Sequence, residues 1–236
     1  MKFVVALSSF LCFFVLSSCI QPAQEKKEIW KTDRIRNGSV SYYAIFDEKN
    51  RNISQQWNHI FYEAGRIVLV REIIGGESEE ILRIAMNKIS LQPESVEIRD
   101  SIETEQNILF KGNLKNRAYI TENLLENQTQ RKQYYLGKDT FIEHEALIFL
   151  MAAYPFGELN RVSVRSISTR LNLDSQVSIE FVGKETIEIS GVSYETYRLY
   201  FPTMDITSWY MEDEPHILIQ STQGPISTRL LNWNGI

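Results

Sequence analysis

The chain has 236 residues and a formal net charge of −5, and 43% of its side chains are apolar, including 12 Phe, 11 Tyr and 4 Trp. That is apolar material for one large or two small domains, and an acidic chain with no dense Lys/Arg block lacks the electrostatic footprint of a nucleic-acid binder. Its two cysteines, Cys12 and Cys19, both lie in the first 19 residues, which excludes disulfides, thiolate metal sites and cysteine nucleophiles from everything after them.

Met1-Lys2 precedes a mostly apolar run from Phe3 to Leu16. One cation followed by such a core has the layout of a secretory signal. The run is too short to cross a ~30 Å hydrocarbon layer comfortably as a permanent helix. It ends Leu16-Ser17-Ser18-Cys19, which resembles a lipobox: a branched apolar residue, two small residues that fit an extended chain into a peptidase, and a thiol to be alkylated. The resemblance implies that residues 1–18 are a lipoprotein signal peptide, cut between Ser18 and Cys19, and that Cys19 carries acyl chains such as palmitate. Each buried methylene contributes ~0.8 kcal/mol, so several chains anchor durably where one does not. Ile20, not Asp, follows the cysteine. By likeness to enterobacterial lipoproteins this implies the outer membrane, with the body in the periplasm. Only Lys2 is charged among the first 18 residues, so the rest holds 24 basic against 30 acidic side chains, a net −6. The membrane partner is therefore expected to be held through lipid on Cys19, not through a basic patch.

Residues 19–38 read as a lipidated tether, polar and charged, with Pro22 inside and Gly38 as a stop. From Ser39 onward, runs rich in β-branched and aromatic residues alternate with turn signals. Val96 to Ile102, Val177 to Phe181 and Thr186 to Ile189 alternate apolar and polar residues, as an antiparallel sheet with one wet face requires. Ile67 to Val70 and Ile81 to Met86 are apolar on both faces. Turns are expected at Ala64-Gly65, Gly75-Gly76, Gly112-Asn113, Gly183-Lys184, Gly191, Asp213-Glu214-Pro215 and Gly224-Pro225. One α-helix is expected over about 140–153: Thr140 and Glu143 have capping-box spacing, Phe141, Leu147, Ile148 and Met151 form an apolar stripe, and Pro155 stops the run. With no linker on either side of that helix, residues 39–236 read as a single domain. The fold class is mainly β: an antiparallel meander forming an open or half-closed β-barrel with one packed α-helix.

The stretch from Leu159 to Leu231 carries, in order, a long strand, a Gly183-Lys184-Glu185 turn, a strand to Gly191, then Tyr194 and Thr196. Trp209-Tyr210-x-x-Asp213-x-Pro215 and a closing Gly224-Pro225-Ile226 hairpin follow. This order resembles domain-of-unknown-function family 3108, a set of bacterial envelope β-proteins. The resemblance spans roughly the C-terminal half and rests on turn chemistry. Glu214-Pro215-His216 departs from it, where a basic residue before the proline is the pattern. It implies an open or half-closed barrel and brings no catalytic residues.

Chemistry-bearing clusters are few. Glu143-His144-Glu145 is the densest acid–histidine group, but consecutive helical residues point about 100° apart and cannot converge on a metal. The reading is a solvated first turn with charge favourable to the helix dipole. His59 alternates with Trp57 and Phe61 on one strand face and reads as a hydrogen-bonded edge of the core. Three histidines (His59, His144 and His216) give no metal-ligand spacing, so neither metal nor other cofactor is expected. No Gly-x-Ser-x-Gly elbow occurs, and Ser190-Gly191 reads as a hairpin turn. Gly75-Gly76-Glu77-Ser78-Glu79-Glu80 is too acidic to cradle a phosphate. Glu212-Asp213-Glu214 is the obvious acid cluster for two-carboxylate chemistry, and also an ordinary solvated turn. Paired aromatics such as Tyr42-Tyr43, Tyr134-Tyr135 and Trp209-Tyr210 send one ring to each face of a strand. Where the second face is concave, Tyr197, Trp209 and Tyr210 are the candidate lining of an apolar pocket; where it is convex, they are cross-strand pairs. The function expected is a non-catalytic cell-envelope lipoprotein that binds an apolar ligand, a lipid or an envelope protein partner. The alternatives are a hydrolase of an envelope polymer acting through paired carboxylates, and a structural assembly protein.

Overall fold

The computed structural model describes residues 29–75, 79–100, 108–124, 129–137 and 139–234. The leader, Ser18, Cys19 and most of the Gly75-Gly76 loop lie outside the described residues.

Fifteen strands account for most of the fold. The first group is β1 (Ser39–Phe46), β2 (Asn52–Glu63), β3 (Arg66–Ile74), β4 (Glu80–Asn87) and β5 (Pro93–Asp100). It continues as β6 (Ile108–Lys115), β7 (Ala118–Asn123) and β8 (Gln130–Tyr135). The second group is β9 (Ile142–Glu143), β10 (Arg161–Ser168), β11 (Leu173–Ile189) and β12 (Val192–Phe201). It ends with β13 (Ile206–Met211), β14 (Leu218–Gln223) and β15 (Ile226–Asn234). The sheet order runs from β8 back to β1, crosses to β15, and descends to β9. Every neighbouring pair is antiparallel except β9 with β10. Two meanders thus meet at β1 and β15, and the sheet curls without a ladder between its two end strands. That is the open, barrel-like fold the alternation implies.

The helical segment is a 3₁₀ helix, His144–Ala153, shorter at its start than the expected α-helix. Thr140 and Glu143 form no capping box, because Ile142 and Glu143 join the sheet beside Ser166 and Ile167. Glu143 is extended there and gives the helix no side-chain cap. The helix lies inside the curl. It reaches β1 through a ring contact between Phe149 and Tyr43. It reaches β3 through Arg71 and Glu145, and β13 through Tyr210, whose hydroxyl donates to the Ile148 carbonyl at 2.8 Å. Ala146, Leu147, Leu150, Met151 and Ala153 are buried against the concave sheet face. The interior is filled by the chain itself.

Two expected turns fall inside strands. Gly112 sits mid-β6, where a Cβ would lie 1.9 Å from the Tyr119 hydroxyl. Its glycine makes room for that ring and does not reverse the chain; the turn comes at Asn116 and Arg117, both with positive φ. Gly183 marks a bulge within β11, with a register shift between Phe181 and Gly183, as glycines in strands often do. Residues 29–38, expected as the end of the tether, pack on the body. Lys31 N donates to the Ala153 carbonyl, Arg34 donates to the Tyr154 carbonyl, and Ile35 is buried.

Candidate functional site

Three places concentrate chemistry, and the first is a buried polar seam between the two ends of the sheet. Glu143 is fully buried. Its carboxyl accepts from Thr169 N at 3.0 Å and from Thr169 Oγ1 at 2.8 Å. Tyr119 reaches Thr169 Oγ1 at 2.7 Å and Glu143 at 3.4 Å. Burial pushes the Glu143 carboxyl up to about 8 in spite of the Thr169 bonds, because no cation among the described residues pairs with it directly and charge is costly in a dry setting. Burial likewise raises Tyr119 well above the phenol range, with the neighbouring Glu143 adding to it.

One residue further on, the outcome reverses. Burial also pushes Glu145 up, but Arg71 and Arg170 outweigh it and hold the carboxyl below its usual value. Arg71 Nη2 donates to Glu145 at 2.7 Å, and Arg170 lies 3.6 Å away while gripping Glu80 with both Nη atoms. The Glu143-His144-Glu145 group is therefore not a solvated helical turn. Ile142-Glu143 are pulled into the sheet, so the carboxylate that looked like a cap is sealed inside. His144 faces Ser166 at 3.3 Å and is held below its ordinary value by burial, with Glu145 opposing. The sequence carries a flag for this: Glu143 stands inside the apolar run from Phe141 to Met151.

The second place is an aromatic cluster at the C-terminal end of the helix. Tyr197 stacks on Phe156 with centroids 4.6 Å apart, and Phe181, Tyr210 and His216 complete the group. Tyr197 and Tyr210 are cross-strand partners on the concave face. Trp209, one residue from Tyr210, points to the opposite face and donates to Glu185 at 2.8 Å. The three rings expected as pocket lining are thus not brought together, and Phe156 packs on both tyrosines. His216 is largely buried, bonded through Nδ1 to the Met211 carbonyl, and depressed first by that burial.

Other candidates scatter. His59 is exposed on the convex face beside Phe61, not at a core edge. Of the acidic turn, Glu212 pairs with Lys184 and Glu214 with Arg34. Glu143 has no surface to offer a polymer, and no described recess is lined by two carboxylates. No group of three or more His, Cys, Asp or Glu side chains is placed to hold a metal among the described residues. Nor, among them, is any helix long and apolar enough to cross a membrane.

The third place is a cleft of about 410 Å³ on the flank of the barrel. Its apolar wall comes from Ile29, Trp30, Ile89, Phe141, Ile142 and Val164, and its polar groups from Asp139, Thr140, Ser163, Arg165 and Gln176. Arg165 is already committed: Asp174 accepts from it at 2.9 and 2.6 Å, and the Tyr135 carbonyl at 3.2 Å. The cleft therefore offers an apolar wall beside hydroxyl and amide groups and the Asp139 carboxylate, in the size range of small-ligand sites. None of these residues stood out in the sequence as a site.

No protein-family model matches the chain, and no curated protein matches it. Among solved structures the chain is similar to a β-barrel-like protein of domain of unknown function family 1849 from Brucella abortus. That likeness has a TM-score of 0.52 at 6% identity and covers 85% of this chain and 99% of the other. Two more distant likenesses are a "putative lipoprotein" from Parabacteroides distasonis (TM-score 0.33, 10% identity, 84% and 95% covered) and a "putative exported protein" with YmcC-like fold from Bacteroides fragilis (TM-score 0.34, 8% identity, 84% and 96% covered). The Brucella likeness is one of fold.

Proposed function

We propose that this chain is a non-catalytic lipoprotein of the bacterial envelope, anchored through Cys19, whose flank cleft holds an apolar chain of the lipid type. The observation that carries the reading is the placement of that cleft. The barrel interior is filled by its own helix, and among the described residues a recess of ligand size lies beside Trp30, Phe141 and Val164. Ile29, on its edge, is where the described chain emerges from the tether.

Two measurements test it. A soluble form starting after Cys19 keeps every described residue, and native mass spectrometry of it is expected to show a co-purifying mass of lipid size. Replacing Val164 by Trp, which fills the cleft, should abolish that mass; a clean ligand-free mass in the unaltered chain sinks the ligand reading. The anchor is read separately: radiolabelled palmitate should enter the full chain and not its Cys19→Ala form.

A further inference from the structure

We propose that the rim of the cleft, made by Ile29 on one side and the β4–β5 loop tip Ile89 on the other, docks on the bilayer that holds the lipid anchor. The inference rests on the anchored-lipoprotein reading and adds which surface faces the membrane.

Ile89 is 59% exposed and Ile29 40% exposed, and both border the same cleft. Exposed apolar side chains are ordinary when scattered. This one is displayed by a built loop. Asn87 Oδ1 accepts from Ile89 N at 3.0 Å and from Ser90 N at 3.1 Å. Leu91 closes the loop onto the Asn87 carbonyl and buries its side chain completely, at a positive φ. The backbone is thus locked while the isoleucine points out. The segment from Asn87 to Gln92 holds one charge, Lys88, in a chain with an acidic excess. Its ammonium lies 4.4 Å from the Tyr62 ring centroid. An apolar tip with a cation at its shoulder and no acid in the loop suits the boundary between acyl chains and headgroups.

Chain length supplies the occupant. Ile29 is the tenth residue after Cys19, so its side of the rim lies within about 35 Å of the acyl chains even with the tether fully extended. A rim held that close, with apolar groups on both sides of the opening, meets a bilayer before it meets anything else. The cleft then exchanges its ligand with the membrane directly.

The absence of other thiols makes a clean test available, since Cys12 leaves with the signal and Cys19 is acylated on this reading. The full lipidated chain bearing Ile89→Cys is labelled with an environment-sensitive dye. It is reconstituted in phosphatidylethanolamine–phosphatidylglycerol liposomes containing doxyl-labelled lipid. A second preparation carries the label at Val192→Cys, an exposed site at the β11–β12 hairpin tip that borders no part of the cleft. The dye at 89 is expected to be quenched at least several-fold more than the dye at 192. Equal quenching, quenching at 192 alone, or none at 89 overturns the proposal, the last pointing to a protein or to solvent outside the rim. A chain that fails to enter the liposomes removes the anchor and the docking together. The lipid mass of the soluble form is measured without any bilayer, so docking can fail while the ligand reading stands.

Discussion

The curled sheet is joined in two places by different means. Where β1 meets β15 the junction is a backbone ladder from Val40 against Asn234 to Phe46 against Ser227, with one bulge. At the other junction the ends of the sheet come together without a ladder. Tyr119 meets Thr169, Thr121 donates to Asn172 at 2.6 Å, Lys132 donates to the Asn172 carbonyl at 2.8 Å, and Arg165 reaches the Tyr135 carbonyl. A ladder uses groups that nearly every residue carries, so it tolerates substitution. A seam of side chains exists only while those particular side chains do. One junction is specified by topology and the other by identity.

Removing the centre of the seam should break that comparison most sharply. Glu143→Ala strips Thr169 and Tyr119 of their buried acceptor and leaves a void, a combination worth about 3–5 kcal/mol. Thr228→Ala, on the ladder opposite Ile45, should cost under about 1 kcal/mol. Urea unfolding of the two variants reads the difference directly. Similar midpoints would mean that the seam is no more identity-dependent than the ladder.

The next effect comes from space, not charge. Gly112→Ala places a methyl group 1.9 Å from the Tyr119 hydroxyl and 2.8 Å from Thr169 Oγ1, so the ring must leave its bond. Overpacking of this kind costs about 1–3 kcal/mol. In a Tyr119→Ala background the same change should cost less, because the nearer collision is gone and only the Thr169 Oγ1 contact remains. Additive losses in that double-mutant cycle would show that Gly112 matters for some reason other than Tyr119.

The seam should also titrate where the ladder does not. Glu143 is raised in the folded state to about 8, so between its unfolded value and 8 the native state holds a proton that the unfolded state releases. Stability then falls as pH rises through that window, by up to about 1.4 kcal/mol per pH unit, and is flat below it. Glu145, held low by Arg71 and Arg170 after its burial is offset, acts oppositely: its contribution is present above the unfolded value and lost as pH falls through the folded one. Glu80, which pairs with Arg170, and His144, held low chiefly by burial, also face this region. Glu143→Gln should flatten the pH 5–8 slope specifically. A slope unchanged in that variant would assign the titration to another group.

The strands and hairpins are legible in the sequence, whereas neither the β1–β15 junction, which pairs Val40 with Asn234, nor the seam is, and the range of the signals is the reason. Alternation in β5 and β11 is local, and so are the turns at Ala64-Gly65, Gly191 and Gly224-Pro225, which lie between strands as expected. The glycines at 112 and 183 misled because a strand glycine that accommodates a ring or a bulge looks like a turn glycine. The helix ends where the sequence places it and starts four residues later, since only pairing with β10 decides that Ile142-Glu143 are extended. Seam partners are 24 to 90 residues apart in sequence, so spacing rules cannot join them. The cleft is assembled from five separate segments for the same reason.

The smallest effects belong to the adjacent rings that face opposite ways. Tyr210→Phe removes the hydroxyl that donates to the Ile148 carbonyl at 2.8 Å, inside a wholly buried environment that raises the phenol's pKa. Losing that bond removes a side-chain donor from a helix carbonyl in the interior and should cost about 1 kcal/mol. Trp209→Phe removes a bond to Glu185, whose carboxylate also accepts from Arg198 at 2.6 Å on the convex face. Water and Arg198 can take over there, so the loss should stay within about 0.5 kcal/mol. Each change removes one hydrogen-bond donor, one from each face, and urea midpoints for the pair would rank them. Were Trp209→Phe the costlier change, the convex face at β13 would have to be covered by something that binds it, and that face, not the cleft, would become the first place to look for a partner.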